Sequence, residues 1–521
     1  MMHSLLNFRY YKLLVLIFIV VVSLFPRIID ISRPLDIDGA DYARAAELGL
    51  RTNYFESDSR SIKSFILQGL KKYLGESDVH IWREDGLNND VCALRHYHPA
   101  FSFYIFRLSQ LLFGTTEIAM RVPPVIFGVL TCLLLFFISY KLCDENAFYV
   151  GLLASLLLAV NSAHISVSQY ASFHSLFMLL SYLALFYLSL SLKSEQKPYF
   201  YLFCLFLALC FLTLEYAPLV LVTFLVVSLL QNNFWLSIEN RRLIISIHII
   251  FGLILVLALM TIIWPAGIMK LSILKGYIAY SAPIRSAKIA FKYGTWYTPY
   301  IDFFKADPIL SVLIVLSLIG SGYLLLKTKL LKPFYPFLVY ALLIVLINMR
   351  ASATKLYYVS HILPAVCLVT GVLLAKMFNR GKYAFRMIPF VLIAFILVMN
   401  INQTRGEHEK VLPWKELSTY LQENSIRSQT ILVLPHPYAS VARFYNKENN
   451  FVSSYVKREE SIKFLDTYHD YDYLVFVNKP GSVQLEAKNY DNFNLLFLKQ
   501  FKKIDVSSNS ISIYKKNKVS F

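Results

Sequence analysis

Eleven stretches of this sequence are apolar for long enough to cross the ~30 Å hydrocarbon core of a bilayer. They lie near 12–31, 119–140, 146–163, 171–192, 198–214, 216–235, 243–265, 308–326, 333–349, 357–377 and 385–402. Within lipid every backbone amide must find its partner inside the protein, so a chain built this way is committed to a bundle of helices. A hydrophobic share of 57% over 521 residues exceeds the roughly 45–50% of a soluble domain. The fold class expected is a polytopic α-helical membrane protein with about 11 transmembrane helices. The run 13–25 follows basic residues as a signal peptide would, but Pro26-Arg27 comes next rather than a small-residue cleavage site. It reads as an uncleaved first helix.

The net charge of +18 invites a nucleic-acid partner until the cations are placed against the spans. With eleven spans, Arg9 and Lys12, Lys141, Lys193 and Lys197, Arg241 and Arg242, Lys327, Lys329 and Lys332, and Lys376, Arg380, Lys382 and Arg386 all fall on one side. Cytoplasmic loops collect Lys and Arg, so that side is the cytoplasm, the N-terminus included, and no nucleic acid is required. An odd number of spans puts the C-terminus outside. The 40 Phe and 35 Tyr suit many helix ends at the headgroup boundary. Of the six cysteines, only Cys92 stands in a clearly polar loop, and none forms a CxxC pair. Neither a disulfide framework nor a metal site follows.

This topology divides the chain into a transmembrane part, 1–402, and a C-terminal part, 403–521, and leaves outer loops at 32–118 and 266–307. Loops longer than about 12–15 residues are usually functional. In the first, Ala40, Ala43 and Ala46, and again Ile62, Phe65, Ile66 and Leu70, recur at helical spacing, as in helices lying in the membrane interface. The apolar segment 98–114 carries Arg107 and ends in Gly114; it is expected to lie along the membrane surface. The loop 266–307 holds Arg285, Lys288, Lys292, Trp296 and Tyr297, which suit anionic headgroups or a basic lid. Beyond 403 the β-rich runs 430–435, 473–478 and 511–516 alternate with helix-like 414–424 and 459–468, which predicts a small extracytoplasmic α/β domain. It carries no GxGxxG, P-loop or nucleophile elbow.

Directly after the first span, Asp36, Asp38 and Asp41 crowd against the membrane edge, where ionisable groups are costly and mark function. A carboxylate there can act as general base, nucleophile or metal ligand. Asp38 can equally be the N-cap of the helix running to Leu48, with Asp41 in its first turn. The residues alone leave both readings open.

Asp38, Tyr42, Ala43 and Ala46 follow an Asp-x-x-x-Tyr-Ala-x-x-Ala pattern that resembles the start of the outer loop in the protein O-mannosyltransferase and aminoarabinose transferase families, membrane glycosyltransferases of the C-type fold. Further segments fit in the same order. His98-Pro99-Ala100-Phe101, then Phe113-Gly114 and Arg121-Val122-Pro123, are similar to the family's motifs before the second span. Ser168-Gln169-Tyr170-Ala171-Ser172-Phe173-His174-Ser175-Leu176 resembles the Ser-x-x-Ala-Arg-x-Tyr-Ser-Leu motif before the fourth. Lys355-Leu356-Tyr357-Tyr358 with Pro364 resembles the late Lys-x-x-Tyr and Pro motif. The match covers roughly 10–400 and departs at Gly39, where the family has an acid, at Ala100, and at Ser172 to His174.

The resemblance implies inverting transfer of a sugar from a polyprenyl-phosphate donor to an acceptor, at the outer face of a bacterial cytoplasmic membrane. Asp38 would be the base, and Asp41 and Tyr42 its neighbours. The departing phosphate calls for cationic donors. Arg95, His96, His98, Arg121, Arg350 and Lys355 are candidates, and His174, Tyr357, Tyr358 and Glu215 are further substrate contacts. Arg121 reads equally as an interfacial side chain, and His96 with His98 is a weak metal signal. A divalent metal stays open as a cofactor. The acceptor is a lipid, glycan or protein, and membrane lipids are partners. A lipid-linked sugar flippase and an inactive scaffold are the alternatives; repeat symmetry and Gly/Pro-interrupted spans would mark a transporter.

Overall fold

The computed structural model describes residues 2–29, 31–48, 101–194, 197–214, 216–230, 334–348, 356–380, 413–434, 439–452, 472–477, 501–504 and 511–516, with Pro99 and single positions between 297 and 319 and between 390 and 399. They fall into two compact units. One comprises Met1–Arg33 and Tyr97–His408, the other Pro34–His96 and Glu409–Phe521.

The first unit is helical. Helix α1 (Met2–Ile28) shows why a span is two-faced. Leu14, Ile17, Phe18, Val21, Phe25 and Ile28 form an exposed apolar stripe, while Val15, Ile19, Ser23 and Arg27, four residues apart, face inward. A stripe of this kind suits lipid, because nothing polar interrupts it. After α2 (Ile37–Leu48), which belongs to the second unit, come α3 (Phe101–Phe113), α4 (Glu117–Leu142), α5 (Ala147–Val160), α6 (Ser162–Gln169), α7 (His174–Ser194), α8 (Lys197–Phe211) and α9 (Ala217–Leu230). Then α10 (Tyr335–Asn348), α11 (Leu356–Val359), a 3-10 turn (Ser360–Ile362) and α12 (Leu363–Arg380) follow. α4 and α7 are each long and apolar enough to cross a membrane.

The stretch expected as one span over 146–163 is instead a helix pair bent by 64°. Asn161 ends α5 with extended backbone and starts α6, its side chain accepting from the His164 N–H at 2.8 Å. An amide side chain that substitutes for the missing helical acceptor makes the break stable inside an apolar run. The spans expected near 243–265 and most of 308–326 and 385–402 lie outside the described residues.

α5 is buried on every side from Val150 to Val160, as befits the centre of the bundle. Glycines let its neighbours close in. A Cβ at Gly151 would stand 2.9 Å from the Phe136 carbonyl oxygen of α4, and one at Gly371 of α12 would stand 2.8 Å from the Val150 carbonyl oxygen. Backbone cannot yield as a side-chain tip can, and close helix approach is the main source of packing in lipid. Gly371→Ala is expected to cost about 1–3 kcal/mol by overpacking, read as a lowered melting temperature of the detergent-purified protein.

At one end of the bundle Lys12 Nζ donates to Tyr140 Oη at 2.5 Å, and Lys193 Nζ donates to Asp144 at 2.8 Å and to the Leu142 carbonyl at 3.3 Å. Three of the cations assigned to one side by sequence, Lys12, Lys141 and Lys193, thus gather on or beside the same helix ends. α3 covers one flank of α4. Ser109 Oγ donates to Ala119 O at 2.6 Å, Gly114 ends the helix at φ +73°, and Tyr104, Leu108, Leu111, Leu112 and Phe113 stay exposed.

In the second unit α13 (Pro413–Glu423), β1 (Thr430–Leu434), α14 (Ala439–Tyr445), β2 (Asn450–Val452), β3 (Tyr473–Val477), β4 (Phe501–Ile504) and β5 (Ile511–Lys516) build a five-stranded sheet in the order β2-β1-β3-β5-β4. β2, β1 and β3 are parallel, and β5 and β4 add on antiparallel. The parallel core strands are buried at Ile431, Leu432, Val433, Leu474 and Val475, the continuous apolar run expected of strands covered on both faces. β1, β3 and β5 occupy the three β-rich runs of the sequence; β2 and the lysine-bearing β4 were too short or too polar to stand out.

The alanines of α2 do not serve a membrane interface. Ala40, Ala43, Ala45 and Ala46 are buried, and the helix packs on α14 within this unit. Tyr445 Oη accepts from the Leu35 N–H at 3.0 Å and Lys447 pairs with Glu47 at 2.5 Å. Side chains no larger than a methyl let the two helices approach, which gives the same spacing in sequence as a lipid-facing stripe.

Candidate active site

The helix that carries Asp38 is capped by its neighbour. Asp36 Oδ1 accepts from the Gly39 N–H at 2.9 Å and its carbonyl accepts from Ala40 N–H at 3.0 Å, so Asp36 is the N-cap and Asp38 the second residue of the helix. This corrects the cap reading of Asp38. A side chain in the first turn sits at the positive end of the helix dipole, where negative charge is favoured. Asp38 is half-buried. Tyr42, one turn on, is buried. Asp41 lies in the same helix, and its side chain is outside the described residues.

In the first unit the exit of α1 is held by side chains. Gln169 Nε2 donates to the carbonyls of Pro26, Arg27 and Ile29 at 3.1, 3.2 and 2.9 Å. Arg121, 3% exposed, donates through Nε to Gln169 O at 3.1 Å and through Nη1 to Ile31 O at 3.2 Å and to Arg33 O. The last carbonyls of a helix have no partner within it, and here a glutamine and an arginine supply donors. Arg121 is therefore not a snorkelling side chain, since its guanidinium is buried on main-chain acceptors. The chain leaving this clamp reaches Asp38 five residues after Arg33.

A second cluster in that unit gathers three of the residues singled out by sequence. His174, the first residue of α7, is buried, and its Nδ1 lies 3.2 Å from His361 Nε2. Its ring packs on Tyr357 at 4.4 Å and edge-on to Tyr358 at 5.2 Å. Tyr170 stacks on Tyr357 at 5.3 Å, and Tyr216 meets Tyr358 at 5.6 Å while its hydroxyl donates to Asn348 Oδ1 at 3.0 Å. Tyr182 fixes the turn by donating to His361 O at 2.9 Å and accepting from Ala365 N–H at 3.0 Å. Four half-buried tyrosines thus lie over two buried histidines. Aromatic faces of this kind can hold a sugar ring by apolar contact and a phosphate by hydroxyl donation.

His361, Tyr170 and Tyr216 were not singled out beforehand. His361 stands four residues after Tyr357, one helical turn, which was the signal available. Arg95, His96, His98, Glu215, Arg350 and Lys355 lie outside the described residues. Among the described residues no three His, Cys, Asp or Glu side chains are grouped to share a metal ion.

The order of helices followed by a small sheet has counterparts among known proteins. Residues 97–264 match the model of the dolichyl-phosphate-mannose-protein mannosyltransferase family. The fold is similar to those of the solved ArnT and AglB structures. The crystal structure of ArnT from Cupriavidus metallidurans bound to undecaprenyl phosphate is similar at a TM-score of 0.61 and 11% identity, over 97% of each chain. The oligosaccharyltransferase AglB from Archaeoglobus fulgidus, in complex with an inhibitory peptide and a dolichol-phosphate, is similar at a TM-score of 0.56 and 12% identity, over 98% of this chain and 75% of that one. The same oligosaccharyltransferase tethered to an acceptor peptide gives 0.59 and 12%, over 98% and 74%. No curated protein matches the sequence.

Proposed function

We propose that the protein is an inverting glycosyltransferase that moves a sugar from a polyprenyl-phosphate donor to an acceptor hydroxyl or phosphate at the outer face of the cytoplasmic membrane. The observation that carries the reading is the first turn of α2: the cap is supplied by Asp36, so the Asp38 carboxylate is not needed there. The C-type fold, shared with structures bound to undecaprenyl phosphate and dolichol-phosphate, supports a lipid-linked donor.

Asp38 takes the proton of the acceptor hydroxyl as its oxygen attacks the anomeric carbon. The bond from that carbon to the phosphate oxygen breaks, and polyprenyl phosphate departs as the anion. Negative charge on it is met by donors, with Lys355, Arg350, Arg95, His96 and His98 as the cationic candidates and Tyr357 and Tyr358 as hydroxyl donors. His174, Tyr42, Asp41 and Glu215 are further proposed substrate contacts. Arg121 acts on the main chain before α2. The transmembrane part lies in 1–402, and 403–521 forms an outer α/β domain.

One observation favours the flippase: the broken α5–α6 pair, a feature transporters use. Asn161 and His164 at that break are buried, whereas a transport site needs access. Purified protein in vesicles, given a polyprenyl-phosphate sugar and candidate acceptors, is expected to release free polyprenyl phosphate and form a glycosylated acceptor. Movement of the intact lipid-linked sugar between leaflets with no product would establish the flippase instead.

A further inference from the structure

Arg27 is 0% exposed inside the helical unit, and among the described residues no carboxylate pairs with it. Its Nη1 donates to Ser23 O at 2.5 Å in its own helix and to Ala159 O at 2.9 Å in the last turn of α5. Its Nη2 lies 2.6 Å from His164 Nδ1. An arginine has no acceptor and does not lose its proton in a protein, so the proton between them belongs to Arg27. His164 is then the acceptor, neutral and protonated on Nε2. The charge is met by carbonyls at the C-terminal ends of α1 and α5, where the helix dipoles are negative.

The pocket is close-fitted. A Cβ on Gly128 would stand 2.2 Å from Ser168 Oγ and 3.2 Å from Arg27 Nε, and Ser168 Oγ is held on His164 O at 2.6 Å. The break at Asn161 turns α6 so that His164 and Gln169 face α1. His164 accepts from Arg27, and Gln169 caps the carbonyls of residues 26, 27 and 29.

Holding helices together does not require this arrangement. Burying a cation costs several kcal/mol, and apolar side chains of similar volume are often as stabilising or more so. What the charge adds is a single rotation and height for the end of α1, because a guanidinium fork bonds in fixed directions. We propose that Arg27 and His164 are positioning residues. They lock the end of α1 onto the α5–α6 break and fix the point at which the chain leaves the helix after Ile28. The catalytic part of this inference rests on the proposed transferase reading.

The test is the double variant Arg27→Met, His164→Leu in the full-length protein, with Arg27→Lys beside it. The expected result has three parts: a melting temperature near that of the parent, faster amide hydrogen exchange over residues 28–36, and turnover lower by roughly a hundredfold, the scale of an ångström misplacement, with donor KM unchanged. Parent-like exchange and parent-like turnover in a variant that melts like the parent overturn the proposal, for the pair then only fills space. Should the double variant not fold, Arg27→Lys keeps the charge and loses the fork. It is expected to melt below the parent and to exchange faster over 28–36 than over the rest of the helical unit, and unchanged exchange there overturns the proposal. The exchange readout does not depend on chemistry: if Asp38→Asn proves fully active, the transferase roles fall while the lock still stands or falls on residues 28–36.

Discussion

Asp38→Asn is expected to lower sugar transfer by about 10²–10⁴-fold, the range for loss of a general base, with donor binding unchanged and stability lower by about 0.3–1 kcal/mol, the contribution of a charge in the first helical turn. Asn keeps the volume and polarity of the side chain, and the helix retains its cap because Asp36, not Asp38, holds the Gly39 N–H. Stability and activity therefore part company at this position. Asp36→Ala makes the converse control: loss of an N-cap costs about 1 kcal/mol and touches no reacting atom. Equal transfer rates for Asp38→Asn and the parent, measured with saturating donor, would remove the central assignment.

Arg121→Ala carries the largest expected cost in stability. It takes away charge-assisted donors to Gln169, Ile31 and Arg33 carbonyls, each worth roughly 1.5–3 kcal/mol. Because they share one guanidinium they do not add in full, and a loss of about 3–5 kcal/mol is expected, the scale of breaking a buried charged contact. Denaturation of the purified protein followed by helical signal measures it. Arg121→Lys restores the charge but reaches fewer carbonyls and is expected to recover only part of the loss.

The architecture was legible wherever burial repeats with a simple period. The apolar runs at 119–140 and 171–192 are helices α4 and α7, and the β-rich runs near 430, 473 and 511 are strands. What escaped were places where one polar residue decides geometry. Asn161 sits inside the apolar run 146–163, and only its bond to the His164 N–H makes it a helix break. Arg27 served in sequence only to argue against a cleavage site, because sequence does not say that α5 ends beside it. The alanine stripe of α2 is equally suited to lipid or to a protein helix, and α14 decided it. Within the site, His174, Tyr357 and Tyr358 were chosen individually, but their meeting with His361 depends on two turns that are 187 residues apart in the chain.

The contact between Leu35 and Tyr445 joins residues separated by 410 positions, and that separation has a consequence in time. At a synthesis rate of roughly 5–20 residues per second, α2 leaves the ribosome tens of seconds before the helix it packs on exists. Throughout that interval its small-residue face lacks the α14 surface on which it packs. A chain halted before α14 carries Asp38 on a helix that lacks the α14 face it packs on.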